Sequence, residues 1–170
     1  MVKLRKAQTN DALDIARVHV KSWKTTYKNI VPEAYLEKMN YDDRKNMWKD
    51  IISNQTVFVA EVNGKIVGFA NGGEERTGEY SGYQGELYAI YILESFQQRG
   101  IGKQLLDLVA AHLSQMNITS MTVSVLEDNI SCTFYERLGA WHIDTVEIEI
   151  AGKTLNELVY GWKDISQMNL

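Results

Sequence analysis

Apolar positions along this 170-residue chain switch between two periods, and the switches mark out its elements. Residues 2–7 are short and mixed, as a first strand is. Thr9 or Asn10 can cap a helix in which Leu13, Ala16, Val20, Trp23 and Tyr27 recur at helical spacing and form one buried stripe. Pro32 opens a second helical stretch through Tyr35, Leu36 and Met39. A third runs over residues 41–52, with Met47, Trp48, Ile51 and Ile52 as its apolar face. Residues 56–62 then read as a strand, Asn63-Gly64 is the strongest hairpin signal in the chain, and residues 65–70 are the partner strand.

A polar, glycine-rich stretch over residues 71–85 leads into a longer apolar strand, residues 86–93. Beyond residues 97–102 comes a helix with Ile101, Leu105, Val109, His112 and Met116 on one face. Residues 121–126 form a buried strand. A short helix over residues 129–138 ends at Gly139, as a helix with a left-handed residue after its last turn does. Val146, Ile148 and Ile150 alternate with Glu147 and Glu149, and a turn at residues 151–153 leads to a last strand through Tyr160 and Trp162. The order β-ααα-ββ-β-α-β-α-ββ implies an α/β fold with one mixed sheet covered by helices. Length, with no linker or repeat in view, predicts a single domain over 1–170.

Composition narrows the class. The chain is 45% apolar and 24% charged with one proline, which excludes collagen-like and disordered chains. Cys132 is the only cysteine, so neither a disulfide framework nor a cysteine zinc cluster is available. No apolar run approaches the roughly 18 residues of a membrane span, and no signal-peptide core follows Met1, so a cytoplasmic protein is expected. Net charge is −4, split between a basic first third and an acidic remainder. Nucleic-acid binding needs a basic face and is not expected, and the basic helices read as solvated faces. His19, His112 and His142 are widely separated, so no metal site is expected.

The segment that carries chemistry is strand, then Gln97-Gln98-Arg99-Gly100-Ile101-Gly102-Lys103, then helix. A helix N-terminus offers unpaired backbone N–H groups and the positive end of a dipole. Gly100 and Gly102 lack the Cβ atoms that would hold a phosphate away, while Arg99 and Lys103 add charge. A Walker A loop fails, because Gln97 stands where it needs glycine and Gln104 where it needs Ser or Thr. A Rossmann fingerprint fails at Leu105. Two glycines alone fit an ordinary strand-to-helix turn equally well.

The wider pattern is more specific. Gln97, Gly100 and Gly102 resemble the pyrophosphate-binding motif Q/R-x-x-G-x-G/A of the GNAT-type N-acetyltransferases. Downstream, Asn129 to Gly139 resembles that family's second signature, N-x-x-A-x-x-F-Y-E-x-x-G-F, with Cys132 in place of alanine and Ala140-Trp141 in place of the closing residues. The resemblance spans residues 57–162 and is loose over the first helices.

That resemblance implies the GNAT-type acyl-CoA N-acyltransferase fold, a central mixed twisted sheet flanked by helices and splayed at strands 4 and 5 beside a bulge, with acetyl-CoA as cosubstrate. It places the pantetheine arm on the backbone of Ile90, Tyr91 and Ile92, and the pyrophosphate on the amides from Gln98 to Lys103, with Asn129 in the second motif. It assigns Tyr135 as the acid that protonates the leaving thiolate; the alternative is a ring that only packs. Glu86, eleven residues before Gln97, is spaced like the catalytic glutamate of the histone-acetylating branch; the alternative is a solvated strand-end carboxylate.

The expected reaction is acetyl transfer to a primary amine by direct attack in a ternary complex. A non-catalytic CoA-binding regulatory module, or acetylation of a protein or peptide amine, stays open. Glu74, Glu75, Glu79 and Glu86, balanced only by Arg76, favour a cationic amine or polyamine, and Tyr80, Tyr83, Tyr88 and Tyr91 supply rings for it. His19 lies one residue off the helical stripe and reads as a partner of nearby backbone. The tryptophans sit at core-like positions, and the last hairpin offers an edge for a homodimer.

Overall fold

The computed structural model describes residues 1–170 and contains the expected elements in the expected order. They are β1 (Val2–Lys6), α1 (Ala12–Thr26), α2 (Glu33–Lys38), α3 (Tyr41–Asn54), β2 (Val57–Val62), β3 (Lys65–Glu74), β4 (Gly85–Ile92), α4 (Ile101–Gln115), β5 (Met121–Leu126), α5 (Cys132–Arg137), β6 (Trp141–Ile150) and β7 (Lys153–Trp162). The strands form one open sheet in the order β1-β2-β3-β4-β5-β7-β6. β4 and β5 run parallel, which requires a crossover, and α4 provides it. The Asn63-Gly64 hairpin forms as read, with φ of +51° and +75°.

The chain divides into two compact units, Met1–Asn71 with Ala89–Val109, and Gly72–Tyr88 with Ala110–Leu170. In the first unit Ile15, Ala16, Val18, Trp48, Val57, Val59 and Phe69 form a core, completed by Ala89, Tyr91 and Leu93. The buried stripe of α1 is rotated from the one the apolar residues suggest. Leu13 is half-buried, whereas His19 and Ser22 are buried. The His19 ring stacks on Tyr91 at 5.3 Å and 9°, and its Nδ1 accepts a hydrogen bond from Trp48 Nε1 at 2.9 Å. Its partner is thus a side chain of α3 rather than backbone. Burial, helped by the charge of Arg44, pushes the His19 pKa down to about 4.

At the head of α1, Asp11 accepts hydrogen bonds from Arg5 Nη1 and from the Gln8 amide, both at 2.7 Å. The Arg5 contact holds the Asp11 carboxyl below its usual range. β3 runs on to Glu74, so Asn71, Gly72 and Gly73 belong to a buried strand rather than to the polar loop expected there.

In the second unit β7 lies between β5 and β6, and Trp162 Nε1 donates to the Leu138 carbonyl at 3.0 Å. Trp141 departs from expectation, being 75% exposed at the start of the edge strand β6. Met116 is also exposed, and Leu106 and Leu113 take its place on the buried face of α4. No helix is long and apolar enough to cross a membrane.

β4 carries one irregularity that matters for the site. Gly85 faces Leu113 on α4, where an added Cβ would stand 3.2 Å from the leucine side chain. Ile92 faces Leu105 on the same helix, since both side chains border the space above Gly68. Residues seven apart in a regular strand point to opposite faces. β4 therefore contains one extra residue, which is a β-bulge. Its pairing with β5 covers only Gly85, Glu86 and Leu87, although the strand continues to Ile92.

His19 gives a pH test. The unfolded chain binds a proton on this histidine near pH 6.5 and the folded chain only near 4, so stability is present above about 6.5 and is lost as pH falls through that window. His19→Gln will flatten the loss, which amounts to about 3 kcal/mol for a shift of this size, in denaturant unfolding followed from pH 7 to pH 4.

Candidate active site

The turn into α4 is built by the strand before it. Gln97 Nε2 donates to the Ile92 carbonyl at 3.0 Å, which folds the chain back after Glu94–Phe96. This glutamine therefore shapes the loop with its side chain. Gln98 and Gly100 then take positive φ, +58° and +78°. The first helical bond of α4 joins the Gln104 amide to the Gly100 carbonyl at 3.2 Å, so the amides of Ile101, Gly102 and Lys103 precede the helical ladder. An added Cβ on Gly100 would meet nothing nearer than 3.9 Å, so the loop is open on that side. Gln98, Arg99 and Lys103 are exposed, and the Arg99 guanidinium lies 5.2 Å from the centre of the Phe96 ring. Free helical amides, an open glycine and two exposed cations fit a phosphate group.

Ile90, Tyr91 and Ile92 precede this loop. The Tyr91 ring belongs to the core around His19, and Ile92 faces Leu105.

The second unit holds the other motif. Asn129 is buried and its Oδ1 accepts from the Ser131 amide at 2.9 Å, turning the chain into α5. The helix ends with Ala140 N bonded to Tyr135 O at 3.1 Å and Gly139 N to Glu136 O at 3.0 Å, a Schellman closure. The Tyr135 ring is buried, 6.3 Å from that of Tyr160 and 6.1 Å from that of Trp162. Cys132 is buried as well, with Sγ 3.5 Å from the Leu126 carbonyl, and burial raises its pKa. A buried protonated thiol is a packing residue rather than a nucleophile.

Glu86 is not a solvated strand end. Its carboxylate is buried and accepts from Arg76 through Nη2 on Oε2, through Nε on Oε1 at 3.2 Å, and through the Arg76 amide at 3.3 Å. The guanidinium also lies 4.0 Å above the centre of the Tyr88 ring. The Tyr88 hydroxyl donates to the Glu74 carbonyl at 2.5 Å. A Cβ on Gly73 would come within 2.7 Å of that hydroxyl, so only glycine leaves room for it.

The acidic cluster read from the sequence thus divides its tasks. Glu75 closes its own loop on the Thr77 and Gly78 amides, at 3.0 and 2.6 Å, and Glu86 holds Arg76. A carboxylate absent from that cluster joins it instead. Glu157 on β7 is half-buried, and its pKa is raised by burial and then by the charge of Glu86. Nothing in the chain order announces it, because 71 residues separate it from Glu86. Arg76 had a signal, as the lone cation of an acidic segment. No group of three or more His, Cys, Asp or Glu side chains is arranged to hold a metal ion.

Comparison with known proteins bears on the family and the fold. Residues 19–140 match the Acetyltransferase (GNAT) family. The chain belongs to the GNAT acetyltransferase family. It is 44% identical over 169 residues to the uncharacterized N-acetyltransferase YuaI of Bacillus subtilis strain 168, covering 99% of this chain and 96% of that one. Among solved structures it resembles the PaiA N-acetyltransferase of Thermoplasma acidophilum in complex with coenzyme A, with a TM-score of 0.70, 21% identity and coverage of 92% and 98%. It also resembles YncA, a putative acetyltransferase of Salmonella typhimurium with acetyl-CoA, with a TM-score of 0.72, 18% identity and coverage of 95% and 93%. At these identities the structural likeness speaks for the fold. The family match begins at His19, midway along α1, and leaves out β1 and residues 12–18 of that helix.

The tie between Gly73 and Tyr88 is open to a double-mutant cycle. Gly73→Ala will cost about 1–3 kcal/mol in denaturant unfolding through overpacking against the phenol. Tyr88→Phe in the same chain will recover part of that cost, because it removes the nearest atom; additive losses would show that the two do not touch.

Proposed function

We propose that this acetyltransferase moves an acetyl group from acetyl-CoA to a primary amine, with the amine attacking directly while both substrates are bound. The observation that carries the cosubstrate is the α4 turn, where amides that precede the helical ladder and exposed cations meet an open glycine in the form a pyrophosphate requires. The amides from Gln98 to Lys103 hold that group, Arg99 and Lys103 neutralise it, and the backbone of Ile90, Tyr91 and Ile92 aligns the arm. Asn129 sets the start of the short helix that carries Tyr135. Gln97 acts one step removed, by fixing the loop. When bound, acetyl-CoA supplies an activated thioester, so no acetylated side chain is needed.

Two protons must move. A phenol of ordinary pKa about 10 can protonate a thiolate whose thiol has a pKa of about 8.5 to 9, and Tyr135 takes that role. An alkylammonium of pKa about 10.4 costs roughly 4–5 kcal/mol to deprotonate at pH 7, so a base is required. Glu86 takes that role once one of its oxygens leaves Arg76. Glu86, Glu157 and the exposed Glu74 and Glu79 favour a small cationic amine or polyamine over an anionic acceptor.

Thiol release measured with acetyl-CoA and a panel of amines tests the reading, with thermal stabilisation by acetyl-CoA alone as the binding control. Stabilisation without turnover on any amine, peptide amines included, would make the chain a CoA-binding module. Tyr135→Phe will lower kcat about 100-fold and keep the stabilisation by acetyl-CoA. Glu86→Gln will slow the reaction most at low pH, where less of the amine is free. An unchanged pH–rate profile would remove Glu86 as the base.

A further inference from the structure

We infer that Arg76 occupies, from within the chain, the seat of the acceptor's ammonium group: the Glu86 carboxylate and the Tyr88 ring face form a cation site that a primary ammonium takes over from the guanidinium. The inference deepens the acetyltransferase reading and rests on it for the fate of the amine. The seat itself rests on geometry alone.

The two halves of the pair are built differently. The Glu86 side chain is 11% exposed and fixed to β4, whereas the Arg76 side chain is 60% exposed and sits on the loop after β3. The Tyr88 ring is held without any help from Arg76, because its hydroxyl is bonded to the Glu74 carbonyl and its body fills the space beside Gly73. The loop is likewise closed without the arginine side chain, by Glu75 on Thr77 and Gly78 and by the Glu75 amide on the Gln84 carbonyl at 2.9 Å. Anion and aromatic face are therefore preformed, and the guanidinium is the removable part. A carboxylate and a ring face that share one cation bind ammonium groups by the same two forces that hold Arg76.

Charge decides which ligand fits. The charges of Glu74 and Glu75 reach the Tyr88 ring, that of Glu86 reaches Glu157, and Asp144 accepts from the Tyr80 hydroxyl at 3.1 Å. Arg76 is the cation among them. Lys163, 4.2 Å from the centre of the Tyr83 ring, is a second cation of the same unit. An acceptor carboxylate on the free edge of Arg76 would enter a negative field, whereas an ammonium enters an attractive one.

The replacement also makes chemical sense. A guanidinium does not give up its proton near neutral pH, so Arg76 keeps the seat filled without protonating it. Once an ammonium sits there, its N–H bond can break toward Glu86. The carboxylate gains that proton as an O–H, and the nitrogen keeps the lone pair that attacks.

A resident occupant raises the apparent dissociation constant of its competitor by the inverse of the vacant fraction. Arg76→Met keeps most of the side-chain bulk and removes the charge. Thermal-shift titration at constant ionic strength, with n-butylammonium and butyrate as probes, measures the seat directly. The variant will bind butylammonium about fivefold more tightly than the parent, as expected for release of a half-exposed ion pair, and Glu86→Gln in the same chain will abolish the gain. Arg76→Lys, which has one donor point in place of the fork, will fall between the two and serves if the methionine variant does not fold.

Equal or weaker butylammonium binding in both variants overturns the inference. So does butyrate binding to the parent that the variants lose, which would make Arg76 a carboxylate ligand. In turnover, KM for the amine will fall about fivefold with KM for acetyl-CoA unchanged. Tighter butylammonium binding with no turnover on any amine would sink the transferase reading and keep the seat. Turnover in the parent with unaltered probe binding in the variants would sink the seat and keep the transferase.

Discussion

β4 meets one helix at both of its ends, Gly85 against Leu113 and Ile92 against Leu105, and seven steps of strict alternation cannot satisfy both contacts. The extra residue that resolves this conflict governs how the whole strand is used. The pairing with β5 covers Gly85, Glu86 and Leu87, and the strand continues beyond it to Ile92. The extra residue also lets Ala89, Tyr91 and Leu93 complete one apolar core while Glu86, a few residues earlier, is buried in the other unit. One strand thus serves as a packing surface and as a carrier of charge, with the change of task at the bulge.

His19 and Glu86 are buried titratable side chains, one in each unit, and each is accommodated by different physics. His19 is neutral: desolvation disfavours its charged form, and one hydrogen bond from Trp48 satisfies the ring nitrogen inside an aromatic cluster. Such a histidine stabilises the fold and has no reason to exchange partners. Glu86 instead keeps a cation at hand, since a buried carboxylate needs one, and the chain supplies it from a loop. A charge held by a replaceable partner is a starting point for binding chemistry, whereas a neutral ring held by a core tryptophan is not. The same contrast separates Cys132, a protonated thiol against backbone carbonyls, from the exposed cations of the α4 turn.

Much of the architecture was legible in the order of residues because it depends on local periods. The helices and strands follow from apolar spacing, the β2–β3 hairpin from Asn63-Gly64, and the α5 closure from Gly139. The phosphate-binding character of the α4 turn was legible for a similar reason: its residues are contiguous, and the amides of a helix start are free in any context. The rotation of α1 was not. It depends on Trp48 and Tyr91, which reach His19 from α3 and β4. Trp141 shows the converse error, since an aromatic residue in a strand is buried only if something covers that face, and β6 is the edge of the sheet.

By itself, then, the sequence determined the element order, the glycine-shaped turn before α4, the GNAT resemblance and an acidic surplus in the second half of the chain. Those features are carried by neighbours in the chain, where steric and hydrogen-bonding rules act at short range. Only the tertiary structure decided that Gln97 spends its side chain on the Ile92 carbonyl, that Glu75 closes a loop, and that Glu157 stands close enough to feel the charge of Glu86. It also decided that Arg76 bridges a buried carboxylate and an aromatic face. Partnership among charges depends on distance and desolvation, and both are fixed only when strands far apart in the chain come to lie in one sheet.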